Sequence, residues 1–203
     1  MAQTYYKPSC AADCSTDTLP VFGNVCAGAA TVEMGEITDI ILDDIDSGST
    51  PANPITGWVS TGLAANDAVN SSAITSWFAS IDNTTAGGLK WFEGTGDKSE
   101  PAGTTIDLPK NKTIEINPKQ VIKFATPVMN NQRYEAFRKL QCKGEKILWF
   151  ATDSHLYGGI NGMKINILKA YFTFPGKNTA KQFNIEFEFV DAIDPPRDKK
   201  TWS

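Results

Sequence analysis

The chain has 203 residues, with 19 Lys and Arg against 23 Asp and Glu, a net charge of −4 and a single histidine. At 41% hydrophobic and 21% charged residues it has the composition of a globular chain, not of a disordered one. The acidic balance and the lack of a basic cluster argue against a nucleic-acid grip, which rests on neutralising phosphates. No apolar run reaches the roughly 18 residues of a membrane helix, so no membrane partner is expected.

The first residues, Met1-Ala2-Gln3-Thr4-Tyr5-Tyr6-Lys7, carry no apolar core of a secretory signal. Residues 1–30 read as an extended arm containing Cys10, Cys14 and Cys26. Their spacing offers three zinc ligands but not the paired spacing of zinc fingers, and Cys142 or His155 would have to complete a site. Free thiols, or one disulfide with a leftover thiol, are the plainer readings. No metal and no cofactor are expected.

Residues 31–194 read as one β-rich domain. Thr31–Leu42 is apolar and β-branched and predicts the first strand, with Gly35 marking a bulge or close approach. Asp43–Pro54 reads as a loop. Ile55–Leu63 fits a short strand. Asn66–Ile81 predicts a helix, because Ile74, Trp77, Phe78 and Ile81 fall on one stripe, with Asn70 or Ser71 as its cap.

Leu89–Phe92 begins another extended piece, and Glu93–Gly103 reads as a long polar loop or hairpin tip. Thr104–Leu108 and Lys112–Ile116 predict strands around Pro109-Lys110-Asn111, and Val121–Val128 a further strand after Pro118. A second helix runs from a cap at Asn130 or Asn131 to Cys142. It has Tyr134, Phe137 and Leu140 on one face, a Glu135–Lys139 pair and Gly144 as its stop.

Lys146–Thr152 predicts a buried strand, followed by the glycine-bearing loop Asp153–Gly162. Lys164–Phe174 and Lys181–Asp191 predict a hairpin across Pro175–Asn178. In its second strand Phe183, Ile185, Phe187 and Phe189 alternate with Gln182, Asn184, Glu186 and Glu188, the pattern of one dry and one wet face. The apolar phase of the first strand switches between Ile167 and Leu168, which predicts a bulge. Residues 195–203 read as a polar tail. The expected fold is mainly β, an antiparallel β-sandwich or β-barrel with two flanking α-helices.

Catalytic equipment is sparse. Asp153, Ser154 and His155 are too close in sequence for a hydrolytic triad, and no nucleophile elbow exists. A Cys142 thiolate would sit at the unfavourable end of a helix. Asp39, Asp43, Asp44 and Asp46 lack EF-hand spacing and read as a solvated run. Gly94-Thr95-Gly96 lacks the Lys-Ser/Thr of a phosphate loop. Sequons at Asn70, Asn83 and Asn111 carry no weight without secretion. Trp58, Trp77, Trp91 and Trp149 are expected in the core and Trp202 against a neighbouring subunit, with a sugar-binding surface as the rival. No enzyme is expected.

The runs Tyr134–Leu140, Ile147–Asp153, His155–Gly159, Asn161–Ile165 and Phe187–Asp191 resemble virion structural proteins of tailed phages that infect Bacteroides-type bacteria, within them the tail-tube type. The resemblance covers the C-terminal half. It implies a non-enzymatic virion protein, made in the host cytoplasm, that forms a homo-oligomeric ring, expected to be hexameric, among other virion proteins. It further implies a tail-tube or neck-ring component whose sheets join around the ring. On that reading Phe183, Ile185, Phe187 and Phe189 belong to the ring-closing strands. Gln182, Asn184, Glu186 and Glu188 face a lumen that passes DNA without binding it. The loops with Asp43, Asp44, Asp46, Asp97 and Glu100 reach neighbouring rings. A monomeric sandwich shows the same alternation, and a capsid-decorating or receptor- or carbohydrate-binding module is the alternative.

Overall fold

The structure, a computed structural model, describes residues 35–47, 50–59, 67–83, 88–108, 112–128, 130–142, 144–174, 180–190 and 195–202. The arm with Cys10, Cys14 and Cys26 lies outside them, as does the Pro175–Asn178 turn. In chain order the elements are β1 (Ile37–Asp43), β2 (Ile45–Ser47), β3 (Thr50–Pro51), α1 (Asp67–Phe78), β4 (Lys90–Lys98), β5 (Ala102–Leu108), β6 (Lys112–Pro127), α2 (Asn131–Leu140), β7 (Glu145–Ala151), β8 (His155–Tyr157), β9 (Met163–Thr173), β10 (Gln182–Val190) and β11 (Arg197–Lys199).

The fold is mainly β, as the strand patterns predict. Antiparallel ladders run β1-β4-β6-β10-β9-β7, and β7 pairs back onto β1, so six strands close a barrel within one chain. Closure leaves those staves without a free edge over most of their length. The strands alternate as their sequences require. Phe183, Ile185, Phe187 and Phe189 of β10 point inward with Ile122 and Phe124 of β6, Ile40 and Leu42 of β1, and Ile165 and Ile167 of β9. The predicted bulge is real. Glu186 pairs with Lys169 and Phe187 with Ile167, which leaves Leu168 as the extra residue.

One end of the barrel is plugged by α2. Its cap is Asn130, whose side chain accepts from the Arg133 N–H at 2.8 Å. Phe137 is fully buried and stacks on Phe183 at 4.4 Å between centroids. Arg138, not Lys139, pairs with Glu135, and Gln141, not Gly144, closes the helix.

A second core lies outside the barrel, where Ile41 of β1 and Ile147, Trp149 and Ala151 of β7 are covered by Ile74 and Trp77 of α1 and by Ile55 and Trp58. This is why β7 reads as a continuous apolar run: both its faces are buried. The turn 158–162 wraps around Trp149, whose Nε1 donates to the Gly159 carbonyl at 2.9 Å. Gly158 and Gly162 have φ of 130° and 64° and stand where a Cβ would collide with the indole.

Several expectations need correction. The strand of Thr31–Leu42 is described only from Ile37, and its register shift lies between Ile37 and Asp39, not at Gly35. Asp43–Pro54 contains the small β2–β3 sheet, whereas the described residues 55–59 form turns without a strand. Glu93–Lys98 is strand, not loop. Gly94 and Gly96 lie against Phe124, where a Cβ at Gly94 would come 2.1 Å from the Ala125 carbonyl oxygen. β6 runs unbroken through Pro118, which sits where the β5–β6 register shifts, so no ladder bond is lost there. Asn70 is no cap. It is buried inside α1 and binds both backbone groups of Val59. The polar tail forms β11 on β8, and Trp202 stacks on Phe78 of its own chain at 4.2 Å.

Candidate functional site

The wet face of β10 lies on the outer wall of the barrel. Register aligns Asp97 of β4, Lys123 of β6, Glu186 of β10 and Lys169 of β9 in one row across four strands. Lys169 Nζ lies 2.9 Å from Glu186 Oε2, and Lys119 Nζ lies 3.0 Å from Glu188 Oε1. Hydrogen bonding to Glu186, and then its charge, raises Lys169 above the ordinary lysine value of 10.5. An open depression of about 540 Å³ lies over this row, lined among others by Glu36, Thr95, Asp97, Tyr171, Asn184 and Glu186.

Two expectations for this hairpin change. The expected acidic wall is charge-balanced, because Lys119, Lys123 and Lys169 stand beside Glu186, Glu188 and Asp97. And β10, with Phe183, Ile185, Phe187 and Phe189, is hydrogen-bonded on both sides by β6 and β9 of its own chain. Ring closure through β10 has no edge to use. Gln182 and Asn184 share the outer wall with the glutamates, and Asn184 donates to Thr173 Oγ1 at 3.0 Å.

A second feature is the hairpin that joins β4, β5 and β6. β4 and β5 follow one another along the same side of β6, interrupted at 99–101, where the Ser99 N–H donates to the Val121 carbonyl at 2.8 Å. Together with β6 they form one long hairpin. Its proximal half supplies two staves of the barrel. Its distal half, β5 with Lys112–Ile116, projects beyond the start of β1 and the end of β10, at the end opposite α2. There, among the described residues, β5 is laddered to β6. Ile106 is 43% exposed and Asp107 is exposed. Sequence reasoning identified both strands but treated them as ordinary members of the sheet.

The expected loop carboxylates separate along the barrel. Asp43 is buried, not solvated, and accepts from the N–H groups of Asp44 and Asn53. Asp44 pairs with Lys146 at 2.6 Å, and Asp46 is exposed in β2. These three lie at the α2 end. Asp97 is exposed midway along the wall, in the row with Lys123 and Glu186, and Glu100, in the turn after β4, is exposed toward the hairpin end. Asp39 is buried against Lys200 and Trp91, so the four aspartates do not converge. Among the described residues no group of His, Cys, Asp and Glu could hold a metal.

Ser154 Oγ lies 2.8 Å from His155 Nδ1 on a turn-and-strand segment. Cys142 is a free, exposed thiol. Trp58, Trp77 and Trp149 are buried, Trp91 donates to Asp39, and Trp202 lies on Phe78. The tryptophans therefore form no sugar platform. No protein-family model matches the sequence, no curated protein is similar to it, and no solved structure matches its fold.

Proposed function

We propose that this chain is a structural, non-enzymatic component of a phage virion, of tail-tube or neck-ring type, that assembles with copies of itself into a ring. One observation carries the reading: a barrel sealed within the chain extends a two-stranded ribbon, β5 with the first part of β6, from one end. A two-stranded ribbon has little stability alone. The resemblance of the C-terminal half points the same way. The placement of Asp46 and Glu100 at opposite barrel ends suits contacts to a ring above and a ring below. Such a protein acts by shape: a rigid barrel fixes the spacing of subunits, and DNA moves through the enclosed channel without specific contacts.

Multi-angle light scattering and electron microscopy of the purified chain test this. Rings or tubes of uniform diameter are the expected result, and a strictly monomeric species at every concentration would count decisively against it. A second reading, a capsid-decorating or carbohydrate-binding module, is favoured by the groove where Tyr171, 43% exposed, stands with Thr95 and Asn184. Binding on a glycan array, lost on Tyr171→Ala, would support that reading instead.

A further inference from the structure

We propose that Asp39 and Lys200 condense into an intramolecular amide, a covalent cross-link that ties the segment after β11 to the barrel wall. The bond does not depend on the ring-forming reading, since it lies within one chain.

Both reacting residues stand on fixed backbone. Asp39 lies in β1, where it is laddered to Glu93 on one side and to Ala151 on the other. Lys200 directly follows β11, and its N–H donates to the Ser154 carbonyl at 2.8 Å. From these two points the side chains meet. Lys200 Nζ stands 2.6 Å from Asp39 Oδ2, and both side chains are more than nine-tenths buried. Holding two reactants in this way makes their reaction effectively unimolecular, with effective molarities of about 10⁵–10⁸ M when well oriented.

The surroundings supply the other groups the reaction needs. Trp91 Nε1 donates to Asp39 Oδ1 at 2.8 Å, so the carboxyl oxygen turned away from the amine already has a donor. That donor stabilises negative charge growing on Oδ1 as the carbonyl carbon is attacked. Thr38 Oγ1 lies 2.7 Å from Asp39 Oδ2 and 3.5 Å from Lys200 Nζ, within reach of both the leaving oxygen and the nucleophile. The Trp202 ring covers the amine, with its centroid 5.4 Å from Nζ.

The step balances in atoms and charge. One proton passes from Lys200 Nζ to Asp39 Oδ2, leaving an amine and a carboxylic acid. The amine lone pair forms the Nζ–Cγ bond, and charge collects on Oδ1 beneath the Trp91 donor. A second Nζ proton passes through the Thr38 hydroxyl to Oδ2, the Cγ–Oδ2 bond breaks, and water leaves. Ammonium and carboxylate thus give one amide and one water, with no change of oxidation state. Burial favours the product: a buried ion pair carries a desolvation cost that a neutral amide does not, and a dry site withholds the water that hydrolysis needs. The bond also secures a weak element, because β11 has three residues and pairs with β8, which has three as well.

Mass spectrometry of the purified full chain, denatured after it has folded, tests the bond. The protein is expected to be lighter than its sequence by one water, and digestion should release one branched peptide that joins Asp39 to Lys200. Asp39→Asn should lose one ammonia in place of the water, because the side-chain nitrogen is then the leaving group. Lys200→Arg keeps the positive charge but has no amine to deprotonate, so it should show its full mass. A parent chain that is folded by circular dichroism and keeps its full sequence mass overturns the proposal. So does a loss of water that persists in Lys200→Arg.

Discussion

Lys200 Nζ lies 2.6 Å from Asp39 Oδ2, with side chains only 8% and 4% exposed, although the two residues are 161 positions apart. Asp39 also accepts from Trp91 Nε1 at 2.8 Å and from Thr38 Oγ1 at 2.7 Å. The pair fastens the C-terminal strand β11 and its flanking residues to β1. A buried ion pair is costly to desolvate, but removing one partner strands the other charge. Asp39→Ala is therefore expected to destabilise the protein by about 3–5 kcal/mol. The double change Asp39→Asn with Lys200→Met should cost clearly less. Urea unfolding of the three proteins checks this, and equal losses for single and double variants would contradict it.

β7 joins the two cores, with Leu148 and Phe150 facing the barrel and Trp149 facing α1, where its ring lies 4.9 Å from that of Trp77. Trp149→Ala should cost about 3–5 kcal/mol through the cavity it leaves. Gly162→Ala should also destabilise, by about 1–3 kcal/mol. It meets a positive φ, and its new methyl would stand 2.5 Å from Ile147 Cγ2 and 2.8 Å from Trp149 Cε2. Thermal unfolding followed by tryptophan fluorescence reads both, and a Gly162→Ala protein as stable as the parent would show that the turn relaxes freely.

Asn70 is a polar group buried inside a helix, and it holds Val59 by two hydrogen bonds, at 2.8 and 3.2 Å, while also donating to Asp198. Asn70→Ala leaves the Val59 N–H and carbonyl without these partners and is expected to cost about 1–3 kcal/mol. Asn70→Asp keeps only an acceptor and faces the Asp198 carboxylate, so its loss should grow as pH rises through the carboxylate range. Chemical unfolding at pH 4 and pH 8 separates the two effects.

The barrel was legible in the sequence where period and packing agree. The alternation of Phe183 to Phe189 gave a one-sided strand, and the phase slip at Leu168 gave the bulge. Failures arose where local chemistry pointed away from tertiary context. Gly94, Gly96 and the charges between Glu93 and Lys98 look like a turn, yet the glycines are there because the Phe124 ring and the β6 backbone leave no room for side chains. Residues 195–202 look like a solvated tail because the partner of Lys200 stands at the other end of the chain. The lysines that balance Glu186 and Glu188 come from β6 and β9. Alternation in one strand shows which residues share a face, but not which charges the neighbouring strands bring to it.

The Glu186–Lys169 row also makes a pH prediction with a definite sign. Lys169 is raised in the folded state, so the contact favours folding below the ordinary lysine value and is lost as pH climbs through the raised one. The pH dependence is therefore confined to alkaline pH above about 10, near where free lysine titrates. Because Lys169 is solvent-exposed, screening keeps it small. Glu186→Gln should leave the thermal midpoint at pH 7 nearly unchanged, in contrast to Asp39→Ala. On the ring-forming reading it should also leave assembly unchanged between low and high salt, since β10 is already paired on both sides within its own chain. If Glu186→Gln abolished assembly, or made it strongly salt-dependent, the contact between copies would have to run through the β10 wall.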